Sequence, residues 1–246
     1  MLDVIALPGL VWVLAATFAA GLVYGFTGFG AALIYMPVAT AFVAPPLAMG
    51  AFGLSALASF VTLVPQAWQQ ADRPNTLLMI GAAILCAPLG IWILRTTDVT
   101  VIRWVLSGIT AGTLVMLMAG WRYHTVPTKS LRAGIGAAAG VMMGSVGLNG
   151  PLVILFQLGG QDSIARSRAN TVLFLTITSL SLLPLMMLQG IIGMEAFWLG
   201  LLLLLPYAGG TLLGRALFDP EREALYRRSA YMVVAAAVVI GLPVWS

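Results

Sequence analysis

The sequence is poor in charged residues, and among its 246 residues it has one cysteine and one histidine. Charged side chains make up 8% of the chain and hydrophobic residues 61%, whereas soluble domains contain roughly 25% charged residues. A water-soluble protein could not cover its surface with so few charges. Together with the mean hydropathy of +1.02, this scarcity predicts an integral membrane protein that has the lipid bilayer as its solvent.

The scarcity of reactive side chains excludes several classes of function. Cys86 cannot form an intramolecular disulfide, and neither it nor His124 has the neighbours that a metal site needs. The eight Asp and Glu residues fall in predicted loops or at segment ends, which leaves no acid pair and no base for a nucleophile inside the membrane. The net charge of +4 comes from scattered residues without a basic patch. We therefore predict no enzyme activity, catalytic residue, cofactor, bound metal or nucleic-acid partner.

Hydrophobic segments follow one another along the whole chain. They cover approximately residues 10–26, 31–44, 47–68, 76–94, 100–120, 132–146, 151–159, 169–189, 193–214 and 229–244. A helix needs roughly 20 residues to cross a bilayer; by that measure 10–26 is marginal, and 31–44, 132–146 and 151–159 are short. These four form two adjacent pairs, each interrupted by a glycine-rich break. Short, interrupted helices at matching positions indicate the binding site of a transporter.

The two halves of the chain share a pattern of motifs. GFTGFG begins at Gly25 and the related GSVGLNG at Gly144, 119 positions later. GIWILR from Gly90 and GTLLGR from Gly210 keep nearly the same spacing, at 120 positions. We therefore predict an all-α polytopic bundle of two homologous transmembrane repeats, 1–125 and 126–246, that form one membrane domain. Each repeat would consist of a broken or re-entrant pair of short helices followed by three transmembrane helices.

The distribution of Lys and Arg favours halves of inverted orientation. Inversion places ten basic residues in cytoplasmic loops and leaves Arg95 and Arg103 outside, whereas a parallel arrangement gives eight inside and four outside. Because cytoplasmic loops are enriched in basic residues, we predict inverted repeats with both termini extracytoplasmic. The two glycine-rich breaks would then enter the membrane from opposite faces and approach each other near the midplane.

The glycine-rich breaks are the predicted substrate site. A helix that begins at a break presents unpaired backbone N–H groups and about half a positive charge, and glycine lets a ligand approach the backbone closely. No carboxylate, Lys, Arg or His lies well inside a predicted span, which favours an anion and argues against a proton or a metal cation as the ligand. The predicted binding residues are Gly25, Thr27, Gly28, Gly30, Ser145, Gly147, Asn149, Gly150 and Thr171.

Several other residues have a structural and a functional interpretation. Ser55 and Ser59 repeat at helical spacing, Arg168 and Asn170 open a later span, and all four are candidate pathway residues. Serine in membrane helices more often bonds to a carbonyl of its own helix, and for Arg168 the role of a topology anchor is the simpler interpretation. Glycines at positions 136 and 140 have the spacing of close helix packing rather than of a ligand site.

The order and spacing of these motifs resemble the sulfite exporter TauE/SafE family. The resemblance rests on the motif at 25–30 with Pro37, the second break at 144–151, residues 165–171, and the Gly90 and Gly210 motifs. Membership implies a permease of the bacterial cytoplasmic membrane that moves sulfite or small organosulfur anions, often as an exporter. This chain has no long hydrophilic loop between its halves, so the resemblance implies no regulation through such a loop.

The leading hypothesis is a multi-pass transporter that exports sulfite or a small organosulfonate bound between the two breaks. Two alternatives stay open, a passive small-anion channel and a membrane assembly subunit without transport activity. The expected partners are a small anion and the lipid bilayer, and a homo-oligomer is compatible with the sequence.

Overall fold

The chain is built from α-helices. The computed structural model describes residues 7–120, 127–160, 162–217 and 223–244, and no strand occurs within these ranges. The helices in chain order are α1 (Leu10–Thr27), α2 (Ala31–Phe42), α3 (Pro45–Ser55), α4 (Leu57–Thr62), α5 (Val64–Gln70), α6 (Arg73–Thr96), α7 (Val99–Met118), α8 (Lys129–Val146), α9 (Pro151–Gly159), α10 (Ile164–Leu188), α11 (Met194–Ala216) and α12 (Glu223–Gly241). His124 and the repeat boundary predicted between residues 125 and 126 lie outside the described residues.

Within the described ranges, six helical segments are long and apolar enough to cross a membrane. They are Leu10–Thr27, Pro45–Thr62, Arg73–Thr96, Val99–Met118, Ile164–Leu188 and Met194–Ala216. The chain is therefore a polytopic helical membrane protein, as the sequence predicted. The first of these segments has 18 residues and a length of about 27 Å, so it is longer than the marginal segment that hydropathy indicated.

The outer surface carries large apolar side chains that a soluble protein would bury. Leu85 is 81% exposed and Leu188 is 84% exposed, which costs nothing in a bilayer because lipid tails are as apolar as leucine. Trp12, Trp92 and Trp104 are also exposed, each within about two turns of a helix end. Tryptophan concentrates at the membrane interfaces, so these rings are placed where an interfacial belt is expected.

The second half packs its first helix, α8, against α6 of the first half. A Cβ atom added to Gly136 or Gly140 would collide with the backbone of Met79 or Ala83. Only glycine allows two backbones to approach this closely, which agrees with the interpretation of these glycines as packing residues. The contacts advance in the same sense along both chains, so α6 and α8 run parallel.

The first half makes the corresponding contact with the second. Gly21 and Gly25 of α1 lie against the backbone of Tyr207 and Thr211 in α11, and these two helices also run parallel. Both α1 and α8 have 18 residues, and they begin 119 positions apart. Each half therefore packs the glycine-rich face of its first helix against a helix of the other half.

The segment α3–α5 lies antiparallel to α10. Near the start of α3, Gly50 faces Leu183, and just after α5 the backbone N–H of Asp72 donates to Oδ1 of Asn170 at 2.8 Å. Since α3 and α10 also begin 119 positions apart, they are matching segments of the predicted repeat. Their antiparallel packing shows that these two matching segments run in opposite directions. Inverted halves require such a pairing; the inversion itself stays a prediction, which reporter fusions can test.

The span predicted at 47–68 differs from a continuous helix. It divides at Ala56 and Leu63 into α3, α4 and α5. Pro65 at the start of α5 contributes to the second interruption, because proline lacks an N–H and its ring displaces the carbonyl of the preceding turn. At the first interruption the Ser55 hydroxyl donates to the Phe52 carbonyl at 2.7 Å, which satisfies a backbone group inside the membrane.

Candidate functional site

The two glycine-rich segments are breaks between helices. Gly28 follows α1 with φ +78° and Gly30 precedes α2 with φ +87°, while Gly147 follows α8 with φ +74°. Side chains with a Cβ rarely adopt these left-handed values, so glycine allows the chain to leave one helix and start the next within a few residues. The N-caps of α2 and α9 make no side-chain hydrogen bond. The first-turn N–H groups of α2, and those of Leu152 and Val153 in α9, consequently have neither an intrahelical nor a capping side-chain partner. Pro151, the first residue of α9, has no N–H.

The N-termini of α2 and α9 meet at one cavity, which lies near the middle of the long helices. Gly30 and Ala31 line it from the first break, and Gly150 and Pro151 line it from the second. None of its described lining residues is charged, and its polar side chains are those of Tyr24, Asn149, Thr176, Ser179 and Tyr207. The cavity has a volume of about 20 Å³, which holds about one water molecule. Each break therefore contributes a helix N-terminus to a small, uncharged space.

Asn149 fastens the second break to α10. Its side chain is 4% exposed, and its amide nitrogen lies 3.0 Å from the Leu175 carbonyl, 2.8 Å from the Thr178 hydroxyl and 2.9 Å from the Ser179 hydroxyl. The two N–H groups of the amide donate to these three acceptors on α10. Buried polar groups in a membrane must find partners within the protein. These bonds hold the N-terminus of α9 and the cavity face of α10 in one relative position.

Two tyrosines line the cavity and bond to neighbouring helices. The Tyr24 hydroxyl lies 3.1 Å from the hydroxyl of Thr176, and the Tyr207 hydroxyl accepts a bond from Ser59 at 3.3 Å. The two rings are neighbours, with centroids 6.3 Å apart. Tyr24 comes from α1 and Tyr207 from α11, so the glycine contact between these helices determines the distance between the rings.

A second and larger space, which we call the vestibule, has no lining residue in common with the cavity. It has a volume of about 340 Å³, and its polar lining consists of Gln66 and Gln70 at the end of α5, Arg168 at the start of α10 and Arg215 at the end of α11. Nη2 of Arg168 donates to the Gly25 carbonyl at 3.0 Å, and Nη1 of Arg215 donates to the Thr62 carbonyl at 2.9 Å. Both guanidinium groups are thus held at helix ends that border the vestibule.

The comparisons with known proteins identify the family. The family model described as Sulfite exporter TauE/SafE matches residues 13–241, a range that contains both breaks, the cavity and the vestibule. The chain belongs to the TauE/SafE family. It is therefore a multi-pass membrane transporter of sulfur-containing anions and not an enzyme, as the sequence predicted. No curated protein and no solved structure gives a significant match to the chain.

Three of the hydroxyl and amide side chains predicted to bind substrate in this TauE/SafE protein have other partners. Thr27, Ser145 and Thr171 each donate to the carbonyl four residues earlier in their own helix, at 2.7, 2.8 and 2.7 Å. This back-bonding is the usual behaviour of hydroxyl side chains in membrane helices, and none of the three lines the cavity. Asn149 does line it, since it follows the end of α8 and its partners lie on a different helix.

The predicted glycines divide in the same way. Gly30 and Gly150 border the cavity, whereas Gly25 packs against α11 and Gly28 against Arg168. Gly147 packs against two methionine side chains, of Met36 in α2 and Met49 in α3. The glycines at the ends of α1 and α8 thus shape the breaks, and the glycines before α2 and α9 face the cavity.

The candidate pathway residues lie around the cavity and the vestibule. Ser59 bonds to a tyrosine that lines the cavity, and Arg168 lines the vestibule. Asn170 is fully buried, and its amide nitrogen lies 3.4 Å from Oε1 of Gln157; its contacts connect α10 with α9 and with the loop before α6. Ser55 donates to its own helix.

Sequence reasoning missed four polar residues of the cavity, namely Tyr24, Thr176, Ser179 and Tyr207. The last of these follows a proline in the middle of a span, and Thr176 and Ser179 lie three residues apart, on one face of an apolar helix. These are the signals that indicate a polar surface inside a bundle. They become specific only when the fold brings α1, α10 and α11 together.

Proposed function

We propose that this transporter exports sulfite or a small organosulfonate across a bacterial cytoplasmic membrane, and that the anion binds between the two breaks. One observation carries the proposal: two helix N-termini without side-chain caps open into the same uncharged cavity. Each N-terminus supplies unpaired N–H donors and about half a positive charge. Together they balance roughly one negative charge without the desolvation cost of a buried Lys or Arg.

The small size of the cavity favours a carrier over an open channel. A volume of about 20 Å³ accommodates about one water molecule, which is less than a sulfur atom with three oxygens requires. Tyr24 and Tyr207 line the cavity and bond to neighbouring helices, and at the second break Met36 and Met49 fill the space beside Gly147. Substrate binding therefore requires the breaks to move apart, and such a coupled movement is what distinguishes a carrier.

Export of an anion needs no proton site. An anion that leaves a cell with a negative interior gains about 2.3 kcal/mol per charge for each 100 mV of membrane potential. No described residue that lines the cavity has a carboxylate or an imidazole, the groups that relay protons in coupled transporters. The membrane potential and the gradient of the anion are thus sufficient driving forces.

Counter-transport in proteoliposomes tests this function. The purified protein is reconstituted with internal sulfite, and efflux is measured against rising internal concentration and with sulfite, sulfate, taurine or sulfoacetate outside. A carrier gives saturable efflux that an external substrate accelerates. Efflux that neither saturates nor responds to the external anion would identify a channel, and liposomes that pass no anion would identify a subunit without transport activity.

A further inference from the structure

The two breaks differ in the side chain that packs on each. A Cβ atom at Gly28 would lie 2.8 Å from Cγ of Arg168, and one at Gly147 would lie 2.8 Å from Cγ of Met49. Arg168 and Met49 are 119 positions apart, which is the spacing of the predicted repeat. Matching positions thus place a cation beside the first break and an apolar side chain, only 1% exposed, beside the second.

Arg168 shares the vestibule with a second cation and two amides. Arg215 approaches from α11, and Gln66 and Gln70 approach from α5. A guanidinium group has five N–H donors in a fixed planar arrangement, which suits the oxygens of a sulfite or sulfonate group. The bonds to the Gly25 and Thr62 carbonyls fix both side chains at the border of a space of about 340 Å³, which is large enough for a small organic anion.

We propose that the vestibule is a second anion site, at which a sulfite or organosulfonate group is held by Arg168 and Arg215 before it reaches the cavity. Gln66 and Gln70 would supply further amide donors. The site is distinct from the cavity because the two spaces share no lining residue. The hydroxyl of Tyr24, which lines the cavity, lies 3.5 Å from the carbonyl of Val172, which lines the vestibule. This second site depends on the proposed function only for the chemical class of its ligand.

The asymmetry between the two breaks gives this site a direction. In the predicted inverted topology the vestibule opens to the cytoplasm, since it lies at the end of α5 and the start of α10. A cationic funnel in a low-dielectric wall raises the local concentration of anions. No such cation packs on the second break, where methionines lie instead. Anions are consequently collected beside the first break, on the cytoplasmic side.

Charge-selective thiol labelling tests the vestibule independently of transport. In a Cys86→Ser background, Gln70→Cys places one thiol in the vestibule lining. The reaction rates of an anionic sulfonatoethyl methanethiosulfonate and a cationic trimethylammonium analogue are compared. We expect the ratio of anion to cation rates to fall at least about fivefold in Arg168→Gln with Arg215→Gln, because electrostatic focusing in clefts is worth factors of about 10 to 1,000.

Arg95→Gln is the matched control. Arg95 lies 120 positions before Arg215, and each is the basic residue in the last turn of its helix. The control should leave the labelling ratio within about twofold, since screening weakens charges beyond a Debye length of about 10 Å. The single variant Arg215→Gln, which changes an exposed residue, replaces the double variant if the latter fails to fold. The logarithm of the labelling ratio is then expected to change by about half as much. An unchanged ratio in the arginine variants, or an equal fall in the control, would overturn the second site whether or not the protein transports sulfite.

Discussion

Replacement of Asn149 by alanine tests how the cavity is held in position. The asparagine amide makes three contacts to α10, at 2.8 to 3.0 Å. Hydrogen bonds between membrane helices contribute about 0.6 kcal/mol on average and up to about 1.7 kcal/mol. The two N–H groups of the amide are therefore worth about 1 to 3 kcal/mol together. A change of about 1.4 kcal/mol corresponds to a factor of ten in rate. If the loss of these bonds destabilises the arrangement of α9 and α10 that binds the anion, transport by Asn149→Ala should decrease by about tenfold or more.

The control for this variant is Ser145→Ala, which lies on the same break. The Ser145 hydroxyl bonds to Val141 of its own helix at 2.8 Å and has no partner on α10 among the described residues. Its removal should change the rate by less than about twofold, because such back-bonds contribute little. Initial rates of sulfite efflux are compared at equal reconstituted protein, with thermal unfolding in detergent measured alongside. Equal rates in the two variants would refute the assignment of the positioning role to Asn149.

Three further predictions concern packing, topology and coupling. Gly140→Leu should lower the free energy of unfolding by about 1–3 kcal/mol through overpacking, because a side chain there meets the Ala83 backbone. Gly134→Leu should leave it unchanged, since Gly134 has no neighbour within 4 Å. Equal losses of thermal stability in both variants would argue against the α6–α8 contact. Reporter fusions after Ser246 and between α7 and α8 should report opposite sides of the membrane, and a common side would exclude inverted halves. Efflux from proteoliposomes should follow an imposed potential and persist when an ionophore collapses the proton gradient; loss of efflux at constant potential would demonstrate proton coupling.

Hydrophobicity and glycine placement made most of the fold predictable from the sequence. Apolar segment length defines a membrane helix because the bilayer fixes the distance to be crossed. The two breaks are recognisable because Gly28, Gly30 and Gly147 adopt left-handed backbone conformations that glycine tolerates best. Neither interruption of the third segment was predicted from the sequence. Pro65 is a signal for the second interruption, whereas Ala56 has no intrinsic tendency to end a helix. Tertiary packing against α10 and α11 determines that conformation.

The site was less predictable because its residues come from helices that are distant in the sequence. Thr27 and Ser145 are adjacent to the glycines, yet each hydroxyl turns back to its own helix. Tyr24 and Tyr207 are 183 positions apart in the chain, and their association follows from the glycine contacts between α1 and α11. Arg168 was interpreted as a topology anchor because its sequence neighbours are those of a loop. Its contact with the first break depends on α10 crossing the other half of the protein.

The separation of charge between the cavity and the vestibule suits the demands of transport. A carrier must bind an anion strongly enough to collect it and weakly enough to release it. A guanidinium group at the midplane would oppose release, because breaking a buried ion pair leaves the arginine charge unpaired at a high cost in free energy. Helix N-termini attract an anion with partial charges that need no counter-ion when the site empties. Full charges at Arg168 and Arg215 lie instead where water reaches them, which reduces the energy of each contact and allows rapid exchange. The arginines then govern how often an anion arrives, and the breaks govern whether it crosses.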